Sequence, residues 1–246
     1  MTSLAVAATE RLVEDGRTPP EGAGAEDILR WTFERFGAEA AVSSSFGAED
    51  VVVIDLALRV FPAARIFTLD TGRLPEATFE VAEQVRRRWS CGIEVFAPDA
   101  ADVEALERAD GFFSFRESLA ARHRCCEVRK VRPLARALAG RAAWITGLRR
   151  EQSVTRTDVS AVELDRSHGG IVKVNPLVAW TNDDVWRYVR THDLPYNRLH
   201  DQGYPSVGCA PCTRPVHPGE HPRAGRWWWE LPEHKECGLH VNGDGI

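Results

Sequence analysis

The sequence predicts an α/β protein: an open, mostly parallel sheet with helices on both faces, followed by an irregular C-terminal tail. Three observations predict it. Apolar β-type runs alternate with amphipathic helical stretches through the main body of the chain, and strands separated by helices imply βαβ units, hence a parallel sheet covered on both faces. The strand-type runs end in polar loops at 43–50, 69–72 and 146–150, at the carboxyl ends of strands where open α/β sheets bind ligands. From Pro205 onward the periodicity gives way to Gly, Pro, His and Trp, a composition that cannot build a separate core and so lies over the main domain.

Taken in order, residues 1–24 form an N-terminal arm: a short helix and then the stretch GRTPPEGAGA, whose Pro and Gly content marks a loop. Within the α/β domain, residues 25–204, helices are expected at 27–36, 50–61 and 75–89, and buried strands at 40–45, 65–70, 93–97 and 142–146. The segment 125–138 reads as helical, and 171–175 as an added edge strand. Thr181, followed by Asn-Asp-Asp, reads as the N-cap of a helix over 185–191. Residues 205–246 are the tail.

A chain of 246 residues with 43% hydrophobic and 27% charged residues has the composition of an ordinary globular protein with a sizeable core. The net charge of -5 argues against a general nucleic-acid binder. No stretch is long and apolar enough to span a bilayer. The N-terminus MTSLAVAATERLVEDG lacks the basic start and apolar core of a signal peptide, so a cytoplasmic location with reduced thiols is expected.

Six cysteines carry the most specific signal: the adjacent pair Cys125-Cys126, the pair Cys209 and Cys212, then Cys237 and a solitary Cys91. Two close pairs of thiolates satisfy either a tetrahedral zinc or the irons of a 4Fe-4S cluster. The adjacent pair favours the cluster, because neighbouring side chains on a helix diverge by roughly 100°, which suits two corners of a cluster better than one small ion. A disulfide scaffold belongs to short secreted chains. Cys91 reads as a small buried hydrophobe.

The basic residues Arg122, Arg124, Arg129, Lys130, Arg132 and Arg136 crowd the cysteine pair, and Arg149, Arg150 and Arg156 follow. On an acidic chain this points to a small anionic ligand or an anionic cluster; the plain alternative is a solvated helix face. The loop 43–50 runs directly into a helix, whose N–H groups and dipole suit a phosphate.

The segments SSSFGAEDVVV, TLDTGR, CCEVRKVRP, TGLRREQS, VNPLVAWTNDDVW, GCAPCTRPV, GRWWWE and KECGLH resemble the sulfonucleotide reductases of sulfate assimilation and cysteine biosynthesis, in particular their iron-sulfur branch acting on adenosine 5′-phosphosulfate. The resemblance implies an adenine-nucleotide α-hydrolase-like fold. It implies a 4Fe-4S cluster on Cys125, Cys126, Cys209 and Cys212, and Cys237 as the thiol that attacks the activated sulfate, with thioredoxin or glutaredoxin as reductant. The positions that match the family's substrate site are Ser43, Ser45, Phe46, Gly47, Leu69, Lys130, Gly147, Arg149, Arg156, Arg223, Arg226 and His240. Relatives that hydrolyse ATP carry Ser-Gly-Gly-x-Asp-Ser, where this chain has Ser45-Phe-Gly-Ala-Glu-Asp50; the bulk of Phe46 and the charge of Asp50 are expected to crowd a triphosphate. Cys237 lies beside Lys235 and near His234 and His240, whose charge would favour a thiolate. A reductase for the 3′-phosphorylated nucleotide is the near alternative, although that branch generally lacks the cluster cysteines. A zinc-dependent nucleic-acid-binding module is a more distant one. Trp227, Trp228 and Trp229 cannot all face one way, so at least two are expected to pack the tail against the body. His200, His217 and His221 show no metal spacing, and a homo-oligomer is compatible with the sequence.

Overall fold

A computed structural model describes residues 18–19, 22–152, 158–231, 234 and 239. Six strands, β1 (Ala40–Ser43), β2 (Arg65–Leu69), β3 (Ile93–Phe96), β4 (Ala143–Ile145), β5 (Val162–Asp165) and β6 (Ile171–Val174), make one sheet in the order β3-β2-β1-β4-β6-β5. All neighbours pair in parallel except β5 with β6. The order reverses between β1 and β4, and their carboxyl ends frame the crevice where such sheets take ligands.

Alternation along the strands divides the core between two faces. Ala40, Val42, Ile66, Ala143, Ile145, Val172 and Val174 pack on one side with helices α1 (Ala25–Phe36), α2 (Ala48–Val60) and α7 (Asn182–Thr191). Ala41, Phe67, Trp144 and Ile171 face the other side against Leu134, Ala137 and Leu138 of α6 (Arg132–Leu138). Helix α2 is apolar around most of its circumference, with every residue from Val51 to Ala57 buried, because it lies between the sheet, α1 and α7. Its one buried charge, Asp55, accepts from Trp89 Nε1 at 3.2 Å and from the Tyr188 hydroxyl at 2.7 Å, tying α3 (Glu76–Trp89) and α7 to it.

The predicted N-cap is present: Thr181 and Asp184 form a reciprocal capping box at the start of α7. Several elements differ from expectation, among them β5, where no strand is expected. The segment read as an edge strand, β6, is internal and buried at all four positions, because β5 pairs outside it and takes the edge. Helix α4 (Ala100–Asp110) was not anticipated; it buries none of its residues, so no apolar stripe marks it, and its signal is the N-cap Asp99, whose side chain accepts from Ala101 N.

The helix expected at 125–138 is interrupted. Helix α5 (Leu119–Cys126) passes through a π-helical turn, Glu127–Val131, into α6. Pro133 sits in the first turn of α6; having no N–H and crowding the carbonyl four residues earlier, it breaks the regular ladder, and π turns of this kind recur at functional sites.

The described tail packs on the body. Ala210 N donates to Arg73 O at 2.8 Å, and Arg122 of α5 pairs with Glu230 at 2.8 Å. Trp227 is buried and Trp229 joins the same cluster, whereas Trp228 is 39% exposed, matching the expectation that two tryptophans pack. Among the described residues no helix is long and apolar enough to cross a membrane.

Candidate active site

The first strand-end loop is held by its own hydroxyls. Ser43 Oγ donates across the switch point to Ile145 O at 3.0 Å, and Ser44 Oγ accepts from Phe46 N at 3.0 Å. Phe46 adopts φ 58°, left-handed geometry that is uncommon for a bulky residue, and it turns its ring into the core, 2% exposed. The expected crowding of the loop by Phe46 is therefore absent, because its side chain does not line the cleft. Asp50 does: its Oδ2 accepts from Ser45 N at 2.6 Å and Ser45 Oγ at 2.8 Å.

Across the crevice, Gly147 follows β4. A Cβ there would collide with the Asp50 carboxylate and lie 3.1 Å from Asp50 N, so this close approach requires glycine. Beside it, Glu49 Oε1 accepts from Arg149 Nε at 3.1 Å, Arg149 Nη2 at 2.7 Å and Gln152 Nε2 at 3.0 Å. Burial pushes the Glu49 carboxyl up, but the Arg149 charge and these hydrogen bonds prevail and hold it below its ordinary value. Arg149 lines the cleft with its guanidinium engaged by Glu49 and by Trp180 O.

These loops open on a cleft of about 920 Å³. Ser43, Ser45, Gly47, Leu69, Lys130, Gly147, Arg149, Arg223 and Arg226 all line it, as does Leu239. Arg226 is 7% exposed and its Nη1 donates to Ser206 Oγ at 3.3 Å and Val207 O at 3.2 Å; a Cβ on Gly208 would strike its guanidinium. Arg156, Cys237 and His240, with Lys235, lie outside the described residues.

A second, smaller cavity adjoins the first. Cys125 and Cys126 at the end of α5 and Cys209 and Cys212 of the tail line it together, with Arg73, Phe115, Arg122, Arg129, Lys130 and Trp227. The four thiols are buried and free of disulfides. Thr71 Oγ1 lies 3.3 Å from Cys209 Sγ. Burial raises the Cys209 thiol, yet Lys130, the Thr71 hydrogen bond, Arg226 and Arg73 outweigh it and bring it below its ordinary value. Burial pushes Cys212 up to about 12, the charge of Cys209 adding to it, and burial also raises Cys125. Among the described residues no group of three or more His, Cys, Asp or Glu is arranged to hold a metal ion. The donor set nevertheless suits an anionic iron-sulfur group: four thiols, a surround of cations, and buried N–H groups on Trp227 Nε1 and Arg129 Nε that have no partner among the described residues, which sulfur can accept.

Lys130 and Trp227 line both cavities and form the wall between them. Trp227 is 1% exposed and held at φ 39°, a strained conformation for an indole-bearing residue. Cations surround its ring: Arg226 at 4.7 Å, Arg122 at 4.9 Å and Lys130 at 6.0 Å. Arg122 itself is held by a two-pronged pair with Glu230, at 3.0 and 2.8 Å, and by His234 O. Arg73 and Arg129 share Glu107, at 3.0 and 2.6 Å. The sequence points to Lys130 but not to this wall; Trp227, Thr71, Glu49 and Gln152 fall inside the matched segments GRWWWE, TLDTGR, SSSFGAEDVVV and TGLRREQS, where nothing local marks them out.

The remaining residues are plain. Cys91 is half-buried against the core, and burial raises its thiol. His200 packs edge-on to Trp186 and engages Tyr204 O. His221 Nδ1 accepts from Arg223 N at 3.1 Å.

A switch-point crevice edged by a serine loop, opening beside a buried four-cysteine cavity, defines an adenine-nucleotide α-hydrolase-like fold with a cysteine site added beside the cleft. Residues 39–215 match the family model of the phosphoadenosine phosphosulfate reductase domain, and the chain belongs to that family. It is 54% identical over 201 residues to the adenosine 5′-phosphosulfate reductase of Allochromatium vinosum, covering 80% of this chain and 77% of that one. It is 47% identical over 221 residues to the adenosine 5′-phosphosulfate reductase of Pseudomonas aeruginosa, covering 88% and 82%. In fold it is similar to the phosphoadenylyl-sulfate reductase of Candida auris, with TM-score 0.67 and 22% identity over 87% of this chain and 98% of that one.

Proposed function

We propose that the protein reduces adenosine 5′-phosphosulfate to sulfite and AMP, the sulfite-forming step of assimilatory sulfate reduction. The observation that carries this reading is the shared wall: Lys130 and Trp227 belong to both the nucleotide-sized cleft and the cysteine cavity. A nucleotide lying along the cleft with its sulfate toward that wall meets Lys130, Arg223 and Arg226. The names of the relatives, which are alike over most of their length, support the same substrate.

In this reading Ser43, Ser45 and Gly47 take the nucleoside side through hydroxyl and backbone contacts, Leu69 and Gly147 flank the adenosine, and the arginines, with Arg156 and His240, hold the phosphosulfate. Guanidinium groups suit this because they bind phosphate-like oxygens in two-pronged geometry. Arg149 acts one step back, orienting Glu49 and Gln152 under the loop. The Cys237 thiolate attacks the sulfur of the anhydride; the S–O bond breaks, AMP leaves with the electron pair, and Cys237 carries the sulfonate. A thiol of thioredoxin then attacks the Cys237 sulfur, and sulfite leaves as that bond breaks.

Cys125, Cys126, Cys209 and Cys212 would hold a 4Fe-4S cluster. When bound, it supplies a fixed charged body beside the sulfate, since the thiols account for both electrons. Lys130, buried between the two cavities, then presents its charge to the substrate.

The test is direct. Purified protein is incubated with adenosine 5′-phosphosulfate or its 3′-phosphorylated form, with and without reduced thioredoxin, and sulfite and AMP are counted. Equal amounts of both products from the first nucleotide are expected. Absence of sulfite from it, or turnover of only the 3′-phosphorylated form, refutes the reading.

A further inference from the structure

Seven large apolar side chains are exposed among the described residues, and four of them, Phe112, Phe113, Trp228 and Leu231, fall in two short segments. The segments meet at Arg116. Its guanidinium carbon lies 5.5 Å from the Phe113 ring centre, 5.6 Å from those of Phe115 and Trp228, and 5.7 Å from that of Trp229. Phe113 is 61% exposed and Trp228 39%, so a body residue and a tail residue share one open face around a cation. Arg116 Nη2 also donates to Pro211 O at 3.1 Å, which fixes the face to the turn between Cys209 and Cys212.

Neither cavity uses this surface: Phe112, Phe113, Arg116, Trp228 and Leu231 line neither the cleft nor the cysteine cavity. Exposed aromatic side chains clustered with an arginine have the composition of a protein-interface core. The course of the chain indicates what covers them. Leu231 is followed by six residues to Cys237, and six residues reach at most about 20 Å. A protein thiol that meets Cys237 beyond the cleft therefore does so within that distance of the patch.

We propose that the face formed by Phe113 and Trp228 around Arg116, together with their exposed chain neighbours Phe112 and Leu231, is the docking surface for the dithiol protein that reduces the Cys237 adduct. The inference rests on the reading of Cys237 given above. The docked protein's first thiolate attacks the Cys237 sulfur, an S–S bond forms, and the S–SO₃ bond breaks with sulfite taking the electron pair. The second thiolate then attacks the first sulfur and frees Cys237 as a thiolate. The partner ends as a disulfide, oxidised by two electrons, and the sulfonate sulfur leaves reduced by two.

The experiment uses full-length, metal-loaded protein carrying the sulfonate on Cys237. Sulfite release is timed with reduced thioredoxin and, separately, with dithiothreitol, for the wild type and for Phe112→Ser and Phe113→Ser, singly and together. These side chains are exposed, so folding is not at issue, and thermal melts confirm it. The double variant is expected to lower the thioredoxin-driven rate at limiting thioredoxin by about tenfold or more, with the dithiothreitol-driven rate and the yield of sulfonated protein unchanged. An unchanged thioredoxin rate overturns the docking surface alone. Equal losses with both reductants overturn it as well, since the patch would then act only on the tail. A change in molecular mass with intact thioredoxin kinetics assigns the face to a second copy of the chain and likewise overturns the proposal. If the sulfonated wild type does not respond to thioredoxin, the protein-reductant reading itself falls, and this proposal with it.

Discussion

Asp50 closes the loop that leads into its own helix: its Oδ2 lies 2.6 Å from Ser45 N and 2.8 Å from Ser45 Oγ. As the third residue of α2 it places a carboxylate on donors at a helix N-terminus, the position an anion would take. The loop is thus held in its binding shape by a charge supplied within the chain. Gly147 makes this possible by leaving room for that carboxylate.

Gly147→Ala is expected to destabilise the protein by about 1–3 kcal/mol, because the added methyl forces Asp50 or its backbone to shift in a packed site. AMP affinity should fall in parallel as the loop loses its shape. Denaturant unfolding and titration calorimetry check both. A variant of wild-type stability would show that Asp50 relaxes freely and that the contact does not constrain the loop.

Glu49 gives a pH dependence with a definite sign. Its folded carboxyl is held below the ordinary value of 4.5, so its contribution is fully present above that value and is lost as pH falls through the lower, folded pKa. Stability measured between pH 7 and pH 3 should therefore decline below about 4.5, and Glu49→Gln should flatten that decline while lowering stability at neutral pH. Parallel curves for the two proteins would remove Glu49 as a contributor.

Arg226→Ala should weaken AMP and substrate-analogue binding about tenfold or more, since charge-assisted contacts to an anion are the strong ones. A second effect is expected, because Arg226 also packs 4.7 Å from the Trp227 ring: intrinsic tryptophan fluorescence should change. Arg223→Ala should weaken binding without the fluorescence change. Unchanged affinity in calorimetry for both variants would place the anion elsewhere.

The four-cysteine cavity makes a prediction about colour and metal. Anaerobically purified protein should be brown, with about four irons per chain, and Cys209→Ser should lose both the iron and thermal stability, because a cluster held by the four cysteines would tie the tail to the α5 helix. One zinc and no colour would overturn the cluster and revive a zinc site.

How much of this was legible in the sequence follows from the range of each interaction. Helices with a continuous apolar face, such as α2, and strands followed by polar loops were readable because their signal is local. Helix α4 was not, since it buries none of its residues, and β6 was placed at the edge because β5 left no separate mark. The cysteine pairs were found by spacing. The wall of Lys130 and Trp227 was not, for it joins residues far apart in the chain that meet only on folding, and no periodicity records that. Phe46 was misread for a different reason: its bulk suggested crowding, while a positive φ turns the ring into the core. Arg149 lines the cleft as expected, but its partner Glu49 stands 100 residues away in the first turn of α2, so the pair becomes visible only with the register of β1 against β4.

Cys237→Ser separates chemistry from binding. The proposal gives this side chain one task, nucleophilic attack on sulfur, and a hydroxyl is a far weaker nucleophile than a thiolate at neutral pH. None of the cavity-lining contacts described above depends on it. Turnover should therefore vanish, while AMP affinity and iron content stay within error of the wild type. Mass spectrometry after incubation with adenosine 5′-phosphosulfate should find a sulfonate on Cys237 of the wild type and none on the variant. Retained sulfite production by Cys237→Ser would mean that another thiol attacks, and among the described cysteines Cys91 is half-buried with a raised pKa while the other four line the cluster cavity. The variant thus tests the nucleophile independently of the fold that presents the substrate to it.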